Sequence, residues 1–283
     1  MRSVDEAVFL VTGSTDGLGK STARDLAAAG ATVLLHGRDP ERGDAAVREI
    51  HEETDNDRLH YYVADFSSLE EVRRLAHEVT ADYDRLDVLV NNAGIGAGRR
   101  GETSRDLSRD GYELRFAVNY LAPFLLTRLL LPLVRRSEPA RIVNVASAGQ
   151  SPISFDDVML ERGYDGMRAY AQSKLALVMF TFDLAGELEG TGVIANSLHP
   201  ASLMDTKMVF ETFGSASSSV REGTDATVRL AISPELRRVT GRYFDGQREA
   251  RANEQAYDPE ARERLRRLSE ELTGLRASGA NSS

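Results

Sequence analysis

Short apolar runs alternate with segments of helical periodicity along most of the chain. The runs are about five residues long and rich in Val, Ile and Leu, and the segments between them are amphipathic. Strands that are apolar on both faces and alternate with helices are typical of a parallel sheet covered on both sides. The pattern therefore predicts a doubly wound α/β fold. The predicted strands are 7–11, 32–35, 59–64, 86–90, 141–145 and 193–198, and the predicted helices are 17–29, 40–53, 68–80, 112–134 and 167–188.

The length of 283 residues fits one domain followed by a tail, because parallel α/β sheets reach ~250 residues as a single unit. We expect the domain to cover residues 1–250. The small, polar stretch 214–219 (GSASSS) predicts a mobile loop. Residues 251–283 are rich in arginine and glutamate and predict a charged, solvated helix, followed by a disordered tail that begins at Ala277.

Composition narrows the function classes. The chain carries 35 basic and 44 acidic side chains, and this net charge of −9 argues against a general nucleic-acid binder. The absence of cysteine excludes disulfides, thiolate nucleophiles and cysteine zinc sites, and the five histidines lack the close pairing of a metal site. Neither a long uninterrupted apolar run nor a basic leader is seen. We therefore expect a cytoplasmic protein with no membrane span and no metal, and a homo-oligomer stays open.

The first predicted strand is followed by a glycine-rich turn, TGSTDGLG at 12–19, and then by a helix. Glycine permits a tight turn and lets backbone N–H groups approach a pyrophosphate, which faces the positive end of the helix dipole. A plain strand-to-helix turn would also use glycine, but the position at the first junction of an alternating pattern favours a nucleotide site. The residues that we expect to contact a cofactor here are Gly13, Ser14, Thr15, Gly17, Leu18 and Gly19.

The end of the second strand bears on which dinucleotide is bound. Dinucleotide folds usually place an acid about twenty residues beyond the glycines, where it binds the adenosine ribose. Gly37 and Arg38 stand there instead, and a guanidinium chelates a 2′-phosphate that a carboxylate would repel. Arg38 therefore favours NADP(H). Asp16 in the glycine loop and the adjacent Asp39 argue the other way, so NAD(H) stays open.

Two further strands end in small or polar residues, Asp65 and Phe66 after the third and Asn92, Ala93 and Gly94 after the fourth. Doubly wound sheets bind ligands beyond the carboxyl ends of their strands. We expect these residues to lie at the sheet edge and contact the adenine half of the dinucleotide. The alternative is purely structural, because Asp and Asn also terminate strands and cap helices.

Tyr170 and Lys174 lie four residues apart on a predicted helix, so both side chains face the same side, one turn apart. The chain contains only three lysines and otherwise uses arginine, which indicates that the lysine has a chemical role. An ammonium close to a phenol favours the ionised phenol and improves proton exchange near neutral pH. The pair predicts an acid–base site.

Ser147 follows the fifth strand and faces the same crevice, where its hydroxyl would hold a substrate oxygen. It is not a lipase-type nucleophile, because Val145 stands where that motif needs its first glycine. Asn119 lies in an otherwise apolar helix, where asparagine is unfavourable. Alone it would be interpreted as a core amide, but beside the other three residues it is a functional candidate.

These motifs together resemble the short-chain dehydrogenase/reductase family over about residues 5–250. The resemblance is carried by TGSTDGLG at 12–19, NNAG at 91–94, VNY around Asn119, NVAS ending at Ser147, YAQSK at 170–174 and HPA at 199–201. The region of Arg38, the HPA motif and the segment 155–170 are most similar to the retinol-dehydrogenase-like branch. The resemblance implies a Rossmann-type dinucleotide-binding domain.

By this resemblance, Tyr170 exchanges the proton with the substrate oxygen and Ser147 donates a hydrogen bond to that oxygen. Lys174 lowers the pKa of the tyrosine and binds the nicotinamide ribose, and Asn119 anchors a water relay. Hydride passes between the nicotinamide and a carbonyl carbon. The family pattern adds cofactor contacts at Pro200, Leu203 and Thr206, besides Tyr170 and Lys174. The expected protein is thus an NADP(H)-dependent oxidoreductase, a carbonyl reductase or ketoreductase.

The sequence departs from the family pattern at the substrate side. Ala201 replaces the usual glycine after Pro200, and Thr206 is one residue further on than is common, which predicts a differently shaped loop. The long separation between Ser147 and Tyr170 predicts an insertion that walls the substrate pocket. A lid is expected at about 202–222. Its apolar residues indicate either a small apolar substrate or packing of the lid on the core: Met204, Met208, Val209, Phe210 and Phe213.

Three other hypotheses stay open. The fold also supports a catalytically silent NAD(P)-binding sensor or scaffold, although the intact candidate residues argue against it. An NAD(H)-dependent alcohol dehydrogenase would differ only at the adenosine end of the site. A nucleotide-sugar epimerase would need a larger C-terminal domain than the residues after Ser202 provide. Tyr243, Phe244 and Tyr257 are expected in the core or at a subunit interface rather than in the pocket.

Overall fold

The computed structural model of the chain describes residues 3–98 and 104–275. In these ranges eight strands form one sheet in the order β3-β2-β1-β4-β5-β6-β7-β8, and all neighbours are parallel except β7 and β8. The order reverses between β1 and β4, so a crevice opens at their carboxyl ends. The strands are β1 (Val8–Val11), β2 (Thr32–Gly37), β3 (Leu59–Val63), β4 (Val88–Asn91), β5 (Ala140–Val145), β6 (Val193–His199), β7 (Tyr243–Asp245) and β8 (Arg248–Ala250).

The helices connect successive strands and cover both faces of the sheet. They are α1 (Gly17–Ala28), α2 (Pro40–Thr54), α3 (Leu69–Asp82), α4 (Leu114–Phe116), α5 (Ala122–Arg136), α6 (Gly166–Glu187), α7 (Lys207–Phe213), α8 (Val220–Ile232) and α9 (Pro259–Thr273). A π-helical turn (Ala117–Leu121) joins α4 to α5 in one continuous helix. Single 3₁₀ turns lie at Val4–Glu6, Pro234–Leu236 and Glu254–Tyr257.

The sheet divides the core into two clusters. Leu26 of α1, Ile50 of α2 and Leu230 of α8 pack on one face of the sheet. On the other face lie side chains from α3, α5, α6 and α9, such as Phe124 and Leu177. Both faces of the central strands are therefore buried, as their continuous apolar sequence requires.

The single-domain, doubly wound α/β architecture predicted from the sequence is confirmed. The six predicted strands and five predicted helices are present, and their ends differ from the prediction by at most two residues. The short strands β7 and β8 were not predicted, because three residues are too few to show a period. They form a hairpin that extends the sheet beyond β6.

The C-terminal helix α9 packs on the domain, whereas the sequence predicts a solvated helix. Its Ala261 and Leu265 are buried in the larger core cluster. The Tyr120 hydroxyl is 2.6 Å from the Ser269 hydroxyl, and the Tyr112 hydroxyl donates to the Leu272 carbonyl at 2.8 Å. Only the opposite face of α9, which carries Arg267, is solvated. The tail predicted from Ala277 lies outside the described residues.

The continuous helix Leu114–Arg136 is long and apolar enough to cross a membrane, by length and composition alone. Of its most apolar window, 83% is buried inside the protein. The core helix of a soluble protein meets the same test, so this helix is weak evidence for a span.

We expect Leu265→Ala to lower the free energy of unfolding by ~2–5 kcal/mol, because it removes a fully buried side chain that joins α9 to the core. Urea denaturation followed by circular dichroism measures the change. Arg267→Ala on the exposed face of α9 is the matched control and should change the value by less than ~0.5 kcal/mol. Equal stabilities of the two variants would contradict the packing of α9.

Candidate active site

A cleft of about 800 Å³ lies at the carboxyl ends of the parallel strands. It follows the strand order, from Arg38 and Asp65 after β2 and β3 to Met204 and Met208 after β6. All but two of the predicted site residues line it. Those that do are Gly13, Thr15, Gly17, Leu18, Gly19, Arg38, Asp65, Phe66, Asn92, Ala93, Gly94, Ser147, Tyr170, Lys174, Pro200, Leu203 and Thr206.

The glycine loop is packed so closely that two of its glycines tolerate no side chain. Gly13 has a φ of 65°, and a Cβ on it would lie 2.8 Å from the Ala93 Cα. A Cβ on Gly19 would lie 2.2 Å from the Gly13 carbonyl oxygen. The Asn92 side-chain amide donates to the Thr12 and Gly13 carbonyls at 2.8 and 3.0 Å. These contacts hold the N-terminus of α1 open towards the cleft.

His36, which is not among the predicted site residues, fixes this loop from the second strand. Its Nδ1 accepts a hydrogen bond from the Gly13 N–H at 3.1 Å, and its Nε2 is 3.1 Å from the Ala64 carbonyl oxygen. The ring stacks on Phe66 at 4.3 Å. Burial lowers the pKa of His36 to about 4, so the ring is neutral at physiological pH. The sequence signal that could have identified His36 is a histidine inside an apolar strand, one residue before Gly37.

Ser14 does not face the cleft, contrary to the prediction that it contacts the cofactor. Its side chain is buried, and its hydroxyl accepts a hydrogen bond from the His36 backbone N–H at 3.0 Å. The Ser14 N–H in turn donates to the His36 carbonyl at 2.9 Å. Ser14 therefore ties the loop to β2, because its polar groups find partners between the two strands.

The adenosine end of the cleft is exposed and carries both signs of charge. Arg38 has no ion-pair partner among the described residues. Asp16 caps α1 by accepting from the Gly17 N–H at 2.8 Å, and its other oxygen lies 2.9 Å from an Arg42 nitrogen. Asp39 caps α2 through the Arg42 N–H at 3.2 Å. Arg42 thus compensates the negative charge of Asp16, which the sequence analysis counted against a 2′-phosphate.

Ser147, Tyr170 and Lys174 converge at the reaction end of the cleft. Ser147 follows β5, and its carbonyl oxygen accepts from the Gln150 side chain at 2.9 Å and from the Tyr243 hydroxyl at 3.1 Å. Lys174 is buried and donates to the Val145 carbonyl at 3.0 Å. Its Nζ lies 5.9 Å from the centre of the Tyr170 ring.

Burial controls the pKa of both groups on α6. It raises the pKa of Tyr170, and a hydrogen bond with Ser147 opposes only part of this rise. It lowers the pKa of Lys174 to about 8. The family resemblance implies a lowered tyrosine pKa, and in this structure the direction is the reverse, because the cost of burying a phenolate exceeds the stabilisation it receives. At neutral pH Tyr170 therefore holds its proton, as a proton donor requires.

Asn119 does not line the cleft, but its side chain contacts a residue that does. It lies in the π-helical turn, where its Oδ1 accepts from the Ile95 N–H at 2.8 Å and its Nδ2 donates to the Ile95 carbonyl at 3.1 Å. The same Nδ2 donates to the Ser173 hydroxyl at 3.0 Å. The Ser173 hydroxyl donates to the Tyr170 carbonyl at 2.7 Å. The Asn119 side chain thus joins the loop after β4 to the helix that carries Tyr170.

The first and last residues of the lid are hydrogen-bonded to each other. The Ser202 carbonyl accepts from the Ser217 and Ser218 hydroxyls at 3.2 and 2.6 Å, and the Leu203 carbonyl accepts from the Ser217 N–H at 2.9 Å. Ser219 then caps α8. The mobility of the loop 214–219 stays a prediction; in the structure the hydroxyls of Ser217 and Ser218 have a backbone partner. Leu203 has a φ of 48°, a left-handed conformation within the loop that follows the HPA motif.

The lid contributes Met204, Met208 and Val209 to the cleft, whereas Phe210 is 50% exposed and lies outside it. The Phe213 side chain lies outside the part of the structure that is described. The insertion between Ser147 and Tyr170 contributes only one side chain to the wall beyond Gly149, that of Met167, so it forms less of the pocket than predicted. Tyr243 and Phe244 are buried as expected, but Tyr257 is 39% exposed.

The residues of the cleft fit a nicotinamide dinucleotide. The tight turn at Gly13 and Gly19 presents the N-terminus of α1 to a pyrophosphate. The space beside Gly94 is narrow, since a Cβ there would lie 3.1 Å from the Asn119 Oδ1 and 3.3 Å from the Lys174 Nζ. Among the described residues no cluster of potential metal ligands occurs.

Comparison with known proteins identifies the family. The profile of the family described as short chain dehydrogenase matches residues 7–215. The chain belongs to the short-chain dehydrogenase family. It is therefore an NAD(P)-dependent oxidoreductase that acts on alcohol or carbonyl groups.

The curated proteins that are similar to this short-chain dehydrogenase include retinol dehydrogenases. Retinol dehydrogenase 13 of Mus musculus is 38% identical, with 94% of this chain and 83% of that protein aligned. Retinol dehydrogenase 12 of Homo sapiens is 34% identical, with 95% and 87% aligned. The predicted similarity to the retinol-dehydrogenase-like branch is confirmed.

Solved structures show the same architecture. A putative uncharacterized protein from Mycobacterium paratuberculosis superimposes with a TM-score of 0.75 at 29% identity, covering 95% of this chain and 94% of that one. A putative short chain dehydrogenase from Shigella flexneri, complexed with NADP, gives a TM-score of 0.70 at 28% identity, covering 86% and 97%. The cofactor of the short-chain dehydrogenase described here is thus a nicotinamide dinucleotide.

The neutral, buried His36 predicts acid sensitivity of the fold. The unfolded chain protonates this ring near its ordinary pKa of 6.5, but the folded protein does so only near 4. The unfolded state therefore binds more protons in this window, and the free energy of unfolding should fall by up to ~3 kcal/mol as the pH drops from 6.5 to 4. Urea denaturation at a series of pH values measures this loss.

His36→Gln should lose this contribution to the pH dependence. His77→Gln, at an exposed position of α3, is the matched control and should retain it. The same acid sensitivity in all three proteins would contradict the assignment of the effect to His36.

Proposed function

We propose that this short-chain dehydrogenase is an NADP(H)-dependent carbonyl reductase or alcohol dehydrogenase for small, apolar substrates. The observation that carries the proposal is the convergence of Ser147, Tyr170 and Lys174 at one end of a cleft whose other end presents Arg38. A binding protein without catalysis would not need a buried lysine beside a protonated phenol, because burying both groups has an energetic cost.

The residues act on the substrate oxygen. The Ser147 hydroxyl donates a hydrogen bond that holds the carbonyl, and the Tyr170 hydroxyl delivers its proton to the same oxygen. Lys174, with a pKa lowered to about 8, is still mostly protonated at neutral pH and stabilises the tyrosinate as it forms. Asn119 and Ser173 hold the helix turn that carries Tyr170. The bound dinucleotide supplies or accepts the hydride.

Tyr170→Phe removes the proton donor and keeps the ring. We expect kcat/KM for NADPH-dependent reduction of apolar aldehydes to fall by at least ~100-fold, since a positioned acid contributes at least this factor. Absorbance at the NADPH band, with a panel of aldehydes and ketones, measures the rate. The Kd for NADPH, from fluorescence quenching, should change by less than ~3-fold if the loss is chemical.

Tyr243→Phe is the matched control for that variant, because it removes another buried hydroxyl, one that contacts the Ser147 carbonyl and the Gln150 side chain. It should lose far less activity. Wild-type protein that binds NADPH but turns over no member of the panel would instead favour a silent sensor or scaffold.

The preference for NADP(H) rests on the charges at the adenosine end. Arg38 lines the cleft with no ion-pair partner among the described residues, so it is available to a 2′-phosphate. The ion pair between Arg42 and Asp16 removes the repulsion that an isolated carboxylate would exert there. The NADP complex of the Shigella flexneri protein, on the same fold, supports this choice.

Arg38→Ala should raise the KM for NADPH ~10–100-fold, because charge-assisted hydrogen bonds to a phosphate contribute ~1.5–3 kcal/mol. The KM for NADH, which lacks that phosphate, should change by less than ~2-fold. Steady-state kinetics with each cofactor measures both values. Arg48→Ala is the control, since this exposed arginine of α2 lies outside the cleft. Equal effects on both cofactors would show that Arg38 does not recognise the 2′-phosphate.

The substrate class follows from the walls of the reaction end. Leu114, Val118, Met167, Met208 and Val209 line it with apolar side chains. Such walls favour an aldehyde, ketone or alcohol whose remainder is apolar. The names of the similar retinol dehydrogenases, which specify an apolar alcohol, support the same class for this chain.

A further inference from the structure

A buried arginine stands directly behind the substrate end of the cleft. Arg115 is only 4% exposed, and its neighbour Glu113 only 1%. Arg115 lies in α4, one turn before Asn119, and it does not line the cleft. Its side chain is surrounded by backbone and polar groups from three separate segments.

Each nitrogen of this guanidinium has a partner. Its Nε donates to the Gly96 carbonyl at 3.1 Å and its Nη2 to the Ala97 carbonyl at 3.0 Å. Its Nη1 donates to the Tyr164 hydroxyl at 2.5 Å and lies 3.4 Å from the Glu113 carboxylate. Glu113 also accepts from the Tyr164 hydroxyl at 2.9 Å and from the Phe116 N–H at 2.7 Å. The network is closed, so the buried charges are compensated.

The two carbonyls that Arg115 binds belong to the wall of the cleft. Gly96 and Ala97 both line it. A Cβ on Gly96 would lie 2.9 Å from the Met208 Cγ, so this wall touches the lid. A Cβ on Gly166 would lie 2.3 Å from the Ala97 oxygen, so the wall also touches the start of the helix that carries Tyr170.

Tyr164 connects the insertion before Tyr170 to this wall. Apart from Met167, residues 151–169 of the insertion stay out of the cleft, and the Tyr164 hydroxyl reaches the Gly96–Ala97 wall through Arg115. The wall, the lid and the start of α6 therefore meet at one place. An apolar residue at position 115 would avoid the cost of burying a charge, but it would leave two carbonyls of the wall without donors.

We propose that Arg115 is a positioning residue that sets the substrate-side wall at Gly96 and Ala97, and thereby determines how long an apolar chain the substrate carries beyond its carbonyl. The inference rests on the proposed reductase function. It assigns to Arg115, Glu113 and Tyr164 a role in substrate selectivity that is separate from proton transfer and from cofactor binding.

The test compares Arg115→Met and Tyr164→Phe with the wild type in steady-state reduction of hexanal and decanal at saturating NADPH. Loss of the wall contacts should raise the KM for decanal at least ~10-fold and leave kcat within ~3-fold, because a displaced wall affects the bound chain more than the reacting carbonyl. The ratio of kcat/KM for decanal to that for hexanal should fall at least ~5-fold.

Tyr164→Phe should shift the ratio in the same direction by less. Arg115→Lys should restore part of it, since an ammonium reaches a carbonyl but not all four acceptors of the guanidinium.

Arg105→Met is the matched control. Like Arg115, Arg105 donates to a backbone carbonyl, in this case that of Met159 in the insertion at 2.7 Å, but neither Arg105 nor Met159 lines the cleft. Its aldehyde ratio should equal that of the wild type. The Kd for NADPH should stay unchanged in every variant.

The outcomes separate the two proposals. Wild-type turnover with an unchanged ratio in Arg115→Met would overturn the role of Arg115 and leave the reductase function intact. Equal losses for both aldehydes and for NADPH would also overturn it, because they indicate general disorder of the fold. If Arg115→Met does not fold, Tyr164→Phe decides by the same ratio. Absence of turnover in the wild type would overturn the proposed function and this inference with it.

Discussion

The parallel pairing of β4, β5 and β6 is the constraint on which the site depends. It brings the loops after three distant strands to one edge, and buried side-chain hydrogen bonds fix the helices against it. The Asn91 amide donates to the Asn144 oxygen at 2.8 Å, and the Asn144 amide donates to the Thr181 hydroxyl at 2.8 Å. Because Asn144 lies on β5, three residues before Ser147, and Thr181 lies on the helix of Tyr170, this chain of bonds joins the strand that leads to Ser147 to the helix that carries Tyr170.

The cleft joins two electrostatic environments. At the adenosine end the groups are exposed, so the ion pair of Asp16 and Arg42 and the charge of Arg38 lie in a screened medium. At the reaction end burial dominates, and it lowers the pKa of Lys174 while it raises that of Tyr170. The first environment suits selection between cofactors by charge, and the second suits proton transfer, since a small change in charge has a larger effect where water is excluded.

The sequence predicted those parts of the molecule that depend on short-range periodicity. Apolar alternation located the strands and helices, and the four-residue spacing of Tyr170 and Lys174 placed both on one helix face. It did not predict His36 or Arg115, because the backbone groups that these side chains contact are far away along the chain. Ser14 was misassigned for the same reason, since its position in the glycine loop does not reveal that its hydroxyl turns towards β2. The pKa direction of Tyr170 depends on burial, which no local pattern records.

The serine contacts at the base of the lid have an evolutionary consequence. Ser202 and Leu203 meet Ser217 and Ser218, so the chain leaves the domain and returns to it at the same place. Met204 and Asp205 at the start of this stretch contact α8, so they are tied to the scaffold, whereas the part around α7 has, among the described residues, no such hydrogen bond to α8. The part around α7 contributes Met208 and Val209 to the cleft, so exchanging this part between homologues would alter the wall of the cleft while the strands and helices of the scaffold stay in place.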